Sequence, residues 1–423
     1  MDHVLSLKCL ICGREYPSSS VDYVCPNHGN DGILDVQYDY DLISRRISQG
    51  DLLHNTDYTI WRYRAMLPVE PDTPAPPLTV GWTPLYRANR LAADLGLKYL
   101  WVKDDGRQPT ASFKDRASAI AIVKAREKGA GIITTASTGN AAAALSGLCA
   151  SLGQPNVIFV PESAPQAKIA QLLVYGSSVL LVKGTYDDAF ELCLLAAQEY
   201  GWYNRNTAYN PYMTEGKKTA SYEICEQLGW RAPDRIFVSV GDGCIIGGLH
   251  KGLKDLMALG WIDHMPRLMG VQAEGSAYLA QAWENDEDVL TKSPIPAHTV
   301  ADSISAGLPR DRLKAMAAVR ETEGAYIQVS DQDILAAIPA LARGCGVFAE
   351  PAGAAAYAGL LKALDHGLAR PDERIVVLVT GNGLKDVSGA MQSVRQVGTQ
   401  AYHVSPDLED LKRVMQQIGL TAR

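Results

Sequence analysis

From about residue 76 onward the sequence alternates short β-branched runs with longer helical stretches, and the runs are apolar on both faces. A strand that buries both faces must lie inside a sheet covered by helices on each side. The alternation therefore dictates an open, parallel α/β architecture. It predicts strands over 99–103, 131–135, 156–160, 178–182, 235–240, 267–272 and 374–380. Helices are predicted over 117–128, 141–152, 168–175, 187–200 and 216–228. In open sheets of this kind ligands bind beyond the carboxyl ends of the strands, so the loops that follow strands are where chemistry is sought. Residues 69–77 hold four prolines and read as an extended linker between an N-terminal appendage and the main body.

Bulk properties remove several function classes. The chain has 423 residues, enough for two core-bearing domains, and its net charge of −7 argues against a nucleic-acid partner, which needs clustered Lys and Arg. No apolar run approaches the roughly 20 residues required to span a bilayer. The N-terminus MDHVLSLKCLICG lacks the basic flank and long apolar core of a secretory signal. Cys149, Cys193, Cys225 and Cys345 stand singly in apolar surroundings, as buried thiols do in a reducing compartment. The expectation is a cytoplasmic globular enzyme acting on a small molecule, with neither nucleic acid nor membrane as partner.

Four segments carry chemistry, and a fifth lies between the last two of them. QPTASFKDRA at 108–117 places Lys114 at the start of a predicted helix. A lysine there is ordinarily a solvated surface residue, but one that is desolvated can be neutral and act as nucleophile and base. ASTGNAAAALS at 136–146 follows a strand and opens an alanine-rich helix, whose first N–H groups can hold a carboxylate. VSVGDGCIIGGLHKGL at 238–253 is again strand, glycine loop and helix, a form that presents consecutive N–H groups to an anion. VLVTGNGLKD at 377–386 ends a buried strand at Thr380, and FAEPAGAAAYAGL at 348–360 puts Pro351 at a helix N1 position.

Together, in this order, these segments resemble the fold-type II enzymes that use pyridoxal 5'-phosphate, and most closely the threonine synthase family. SFKDR resembles the cofactor-lysine motif, and 175–189 and 210–224 resemble that branch as well. The resemblance spans roughly residues 80 to 390. It implies a cofactor held as a Schiff base on Lys114, with Phe113 beside it. It implies a phosphate cradle of Gly241, Asp242, Gly243, Cys244 and Ile245, and a pyridine nitrogen facing Thr380. A substrate carboxylate would be gripped by Ser137, Thr138, Gly139 and Asn140, with Asn140 also on the ring oxygen. The implied architecture is two open parallel α/β domains, a large one over 41–116 and 215–423 and a small mobile one over 117–214, assembled as a homodimer. The implied reaction is a lyase reaction: O-phospho-L-homoserine and water yield L-threonine and phosphate by γ-elimination and β-hydration.

Three departures leave alternatives open. Asp242 puts an acid where the family often has an uncharged residue, so its side chain must point away or be neutralised. Met213 stands where the family has a phosphate-binding arginine, and Ala208 where it has a small hydroxyl residue. Methionine cannot replace a bidentate guanidinium, so Arg205, Lys217 or Lys218 would have to supply the charge. Without that charge the chain would be an ammonia-lyase or dehydratase acting on threonine, serine or a diamino acid, or a β-replacement enzyme of the cysteate synthase type. A non-catalytic PLP-binding regulator predicts loss of the lysine, which is intact.

The first 40 residues have their own motif. Cys9-x2-Cys12 and Cys25-x2-His28, twelve residues apart, have the spacing of a small zinc ribbon with a tetrahedral Cys3His set. GILDVQYDY at 32–40 resembles the ribbon segment that precedes many threonine synthase catalytic domains, where the fourth ligand is usually cysteine. A metal there would be structural.

Overall fold

The computed structural model describes every residue except 138, 165, 399 and 421–423, and the side chain of 167. Strands are numbered in chain order. An N-terminal antiparallel sheet contains β1 (Val4–Cys9), β2 (Glu15–Tyr16) and β3 (Leu34–Tyr38) in the order β2-β1-β3, with Leu7 opposite Val36. Next come β4 (Leu85–Arg87) and β5 (Tyr99–Asp104), then β6 (Ile133–Ala136), β7 (Asn156–Pro161), β8 (Ser178–Val182) and β9 (Tyr203–Asn204). The series closes with β10 (Arg235–Ser239), β11 (Arg267–Ala273), β12 (Ala325–Val329) and β13 (Arg374–Val379).

Two sheets form the body. One has the order β12-β11-β10-β13-β5-β4, parallel throughout except for antiparallel β4 at its edge. The other, β8-β7-β6-β9, is wholly parallel. Central strands β10 and β7 are buried along their whole length, as strands covered on both faces must be. All seven strands expected from periodicity are present within two residues of their predicted ends. The structure adds β4, β9 and β12, which are short or lie at a sheet edge and so carry little two-faced apolar signal. The helix expected over 117–128 begins three residues earlier, at Lys114. The one expected over 216–228 is two, Tyr212–Lys217 and Thr219–Gln227.

Helix Lys114–Glu127 is buried without a break from Asp115 to Ala125. Its alanines let the helices Tyr212–Lys217 and Asn140–Ala150 pack closely on it, and a Cβ on Gly216 would collide with the carbonyl of Arg116. Pro351 does start the helix Pro351–Asp365, where its missing N–H costs nothing. The N-terminal sheet is fastened onto the body. Tyr38 donates to Glu215 at 2.5 Å, Lys251 donates to the Val36 carbonyl at 2.6 Å, and Arg312 pairs with Asp31 at 2.5 Å. Ile33 also packs on Ala208 and Cys244, so the ribbon reaches the base of the glycine loop. Among the described residues no helix is long and apolar enough to cross a membrane.

Candidate active site

Loops at the carboxyl ends of β6, β7 and β10 enclose a cavity of about 760 Å³. Lys114 reaches it from the start of its helix. The turn before it is pinned to the end of β13: Phe113 N–H donates to the Thr380 carbonyl at 2.9 Å, and Ser112 bridges to Gly381. Asp115 braces the same turn by accepting from the Thr110 N–H at 2.7 Å and its hydroxyl at 2.5 Å. Burial pushes the Asp115 carboxyl up to about 7. The Lys114 amine has no hydrogen-bond or ion-pair partner among the described residues. Burial lowers its pKa, with Arg205 nearby acting in the same direction. The SFKDR motif thus divides its labour: Lys114 faces the cavity, Asp115 holds the turn, and Arg116 is turned into the core.

Ser137, Gly139 and Asn140 line the opposite wall, at the start of the 11-residue helix Asn140–Ala150. Gly139 N–H donates to the Ser137 hydroxyl at 3.2 Å. Thr138 lies outside the described residues. The Asn140 amide donates to Glu350 at 2.8 Å and to Ser303 at 3.3 Å. Glu350 is only 4% exposed, and burial pushes its carboxyl up to about 7. Sequence reasoning missed this acid. Its position immediately before Pro351, as the N-cap of a buried helix, was the available signal.

The third wall is the loop Gly241, Asp242, Gly243, Cys244 and Ile245, all facing the cavity. Gly243 has φ +89, and a Cβ there would lie 2.6 Å from that of Ala315; at Gly241 a Cβ would lie 2.7 Å from the Ile304 Cα. Only glycine permits this close, left-handed turn. It delivers the first N–H groups of the 15-residue helix Cys244–Ala258 to the cavity. Asp242 is drawn aside, since its carboxylate accepts from the Arg310 N–H at 3.2 Å and its carbonyl from the Asp311 N–H at 2.8 Å. Phe113 and Thr380 are not on the cavity wall; they pack behind the Lys114 turn. A free, desolvated amine, a glycine cradle that any side chain would fill and a second helix start fit pyridoxal phosphate and an amino acid together.

The three candidate cations separate cleanly. Lys218 is paired with Glu215 at 2.7 Å and Asp255 at 2.8 Å. Lys217 donates to the Thr207 hydroxyl at 2.6 Å, and burial pushes its pKa down to about 8. Arg205 lies on the cavity wall itself. Met213 is fully buried and off that wall, and Ala208, at φ +65, is buried against Ile33 and Cys244.

In the ribbon, one ligand atom each from Cys9, Cys12, Cys25 and His28 lies within 4.8 Å of the others. Cys25 Sγ is 3.5 Å and Cys9 Sγ 3.8 Å from His28 Nδ1, and the Cys12 and Cys25 sulfurs are 4.0 Å apart. Metal–ligand bonds of about 2.0–2.3 Å place tetrahedral neighbours roughly 3.5–3.8 Å apart, so these residues fit zinc with little movement.

Residues 77–381 match the family model described as "Pyridoxal-phosphate dependent enzyme". The chain is 36% identical to the threonine synthase of Methanocaldococcus jannaschii over 97% of this chain and 99% of that one. It is 40% identical to that of Methanosarcina acetivorans over 90% and 92%. Among solved structures it resembles the processed form of threonine deaminase isoform 2 from Solanum lycopersicum. The TM-score is 0.66 at 22% identity, over 87% of this chain and 96% of that one. Diaminopropionate ammonia lyase from Escherichia coli gives a TM-score of 0.62 at 19% identity, over 74% and 87%.

Proposed function

The chain belongs to the pyridoxal-phosphate dependent enzymes and, within them, to the threonine synthases, and from that premise we propose that it converts O-phospho-L-homoserine and water into L-threonine and phosphate. One observation carries the reading: the Lys114 amine and the helix starts at Asn140 and Cys244 open onto a single cavity. A catalyst of this type needs an amine, a carboxylate grip and a phosphate cradle at one place.

Lys114 would hold the cofactor covalently, and the backbone of Gly241, Asp242, Gly243, Cys244 and Ile245 would take its phosphate. Phe113 and Thr380 would stand behind it and Asn140 beside its ring. When bound, pyridoxal phosphate delocalises the negative charge that develops beside the substrate's α-carbon, which makes expulsion of a γ-substituent accessible. Ser137, Thr138, Gly139 and Asn140 would fix the substrate carboxylate at a helix start, orienting the α-hydrogen toward Lys114. Lys114, its pKa lowered by burial, would take that α-proton and a β-proton as phosphate departs, return protons to the γ- and α-carbons, and activate water at the β-carbon. The ammonia-lyase alternative draws its support from Met213, which offers no charge to a phosphate.

A coupled assay decides between them. The PLP-loaded protein should release phosphate and threonine in equal amounts from O-phospho-L-homoserine, and Lys114→Ala should lose at least about 10³-fold in rate. Ammonia from threonine, serine or a diamino acid, with no phosphate release, would establish the lyase instead. We also propose that Cys9, Cys12, Cys25 and His28 hold one structural zinc. Elemental analysis should find one zinc per chain, and active protein without any would remove the claim.

A further inference from the structure

Arg205 is 1% exposed and is held from several sides. Its N–H donates to the Thr134 carbonyl at 2.8 Å, continuing the ladder between β6 and β9. The next residue, Asn206, accepts from the Ala136 N–H at 2.9 Å and the Thr135 hydroxyl at 2.8 Å. At the far end Nε donates to the Ser118 hydroxyl at 3.1 Å, one turn beyond Lys114. The guanidinium is thereby aimed and fixed, yet Nη2 is buried with no partner, and no carboxylate among the described residues forms an ion pair with it.

The acids of the cavity are engaged elsewhere. Asp187 pairs with Arg310 at 2.8 Å, Asp302 pairs with Lys168, and Asp242 is tied to the 310–311 segment. Glu350 accepts from Asn140, and Asp115 is occupied by Thr110. Asp311 lies off the cavity wall, with neither carboxylate oxygen hydrogen-bonded, and faces Lys314 and Lys217. A buried guanidinium whose nearest acid, Asp115, acts on it without forming an ion pair is costly to keep, so its natural complement is an anion that arrives from outside. Beside it Thr207, on the cavity wall, accepts from Lys217 and lies within hydrogen-bond reach of the Cys244 thiol, so its O–H can turn to an arriving anion.

Three anionic groups must be held if the reaction is as proposed above: a cofactor phosphate, a substrate carboxylate and a substrate phosphate. The glycine loop and the helix start at Asn140 serve the first two. We propose that Arg205, with the Thr207 hydroxyl beside it, grips the phosphate monoester of the substrate and so determines that the cavity accepts a phosphorylated amino acid. A guanidinium fork matches a phosphate with two parallel hydrogen bonds, and a phosphate dianion answers Arg205 together with Lys217 behind Thr207. The charge that Met213 cannot supply comes from a different strand end.

The inference rests on the phosphohomoserine reading, and the test separates the two. Arg205→Met and Arg205→Lys are prepared as PLP-loaded holoenzymes and compared with the parent. KM for O-phospho-L-homoserine and the dissociation constant of inorganic phosphate, by titration calorimetry, are measured alongside cofactor retention. Arg205→Met should weaken both phosphate-dependent constants by about 10- to 100-fold, with Arg205→Lys in between and cofactor retention unchanged. Its thermal midpoint should equal or exceed the parent's, since an unpaired buried charge is gone. Inorganic phosphate binding that ignores the substitution, or a loss confined to cofactor retention, would overturn the assignment while leaving the reaction intact. If phosphohomoserine is not turned over but phosphate still binds through Arg205, the grip stands and the reaction falls.

Discussion

Two buried arginines near Lys114 sit in opposite electrostatic circumstances. Arg116 is 0% exposed and Arg205 1%. Arg116 reaches Asp105 through Nε at 2.6 Å and Glu223 through Nη1 at 2.5 Å, with further bonds from Nη2 to both acids. Lys103 adds a second cation to Glu223 at 2.7 Å. Burial alone would raise the Glu223 carboxyl, but Arg116 and Lys103 together hold it down at about 2. Arg205 has one neutral hydroxyl as its side-chain partner, and burial pushes its pKa down to about 10. Equal burial therefore has two meanings. A charge satisfied within the chain holds the fold, here by tying the Lys114 helix to Thr219–Gln227. A charge left unsatisfied is held ready for a ligand.

The sharpest way to break this contrast is Arg116→Met. It leaves Asp105 without a counter-ion and Glu223 with Lys103 alone, so it should lower stability by about 3–5 kcal/mol, read as a shift in the denaturant midpoint. The same change at Arg205 should not lower it. If the two variants are equally mild, or equally harmful, pairing is not what distinguishes them.

That distinction was invisible in the sequence, although much else was legible. The seven expected strands and the residue order of the motifs were readable because two-faced apolar runs and glycine loops are local patterns. The four ribbon residues proposed to hold zinc were picked out by their spacing, and the structure brings them together. Ion pairing is not local. Arg116 meets Glu223 across 107 residues, and Tyr38 meets Glu215 across 177. Arg205, Lys217 and Lys218 look alike as letters, and only the tertiary arrangement leaves two with a hydroxyl as partner, Arg205 of them on the cavity wall, and one ion-paired. Glu350 was missed for the same reason, since its partner Asn140 is 210 residues away. The docking of Ile33 under Cys244 was missed because the proline-rich segment 69–77 suggested a detached appendage.

Among the acids, Glu350 plays the part that Arg205 plays among the bases, and pH tests it. Its carboxyl rises from its ordinary value of 4.5 to about 7, chiefly through burial. For a group raised on folding, the stability it contributes is fully present below the unfolded value and is lost as pH climbs through the folded one. The window is therefore about pH 4.5 to 7, and the loss is on the order of 3 kcal/mol. Glu350→Gln keeps an oxygen for Asn140 and has no charge to bury. In cofactor-free protein the parent should fall in stability relative to the variant across that window and remain lower above it. Asp115, also raised to about 7, contributes to both proteins and cancels in the difference. Parallel curves would show that Glu350 is compensated after all, as Glu223 is.

The smallest effect is expected where water, not the chain, supplies the compensation. Lys168 pairs with Asp302 across the cavity mouth, but the two side chains are 30% and 65% exposed. Solvent screens such a pair, and ordering the two chains offsets most of the Coulomb gain, so Lys168→Met should change stability by less than about 0.5 kcal/mol. The same holds for Arg310 and Asp187, which also span residues 117–214 and the rest of the body and are 28% and 74% exposed. If 117–214 moves as a smaller unit over the cavity, these pairs form and break with each turnover, and weakness is what such motion requires. A loss of several kcal/mol in Lys168→Met would place this pair beside Arg116 instead. Exposure would then no longer predict which charges hold the fold together.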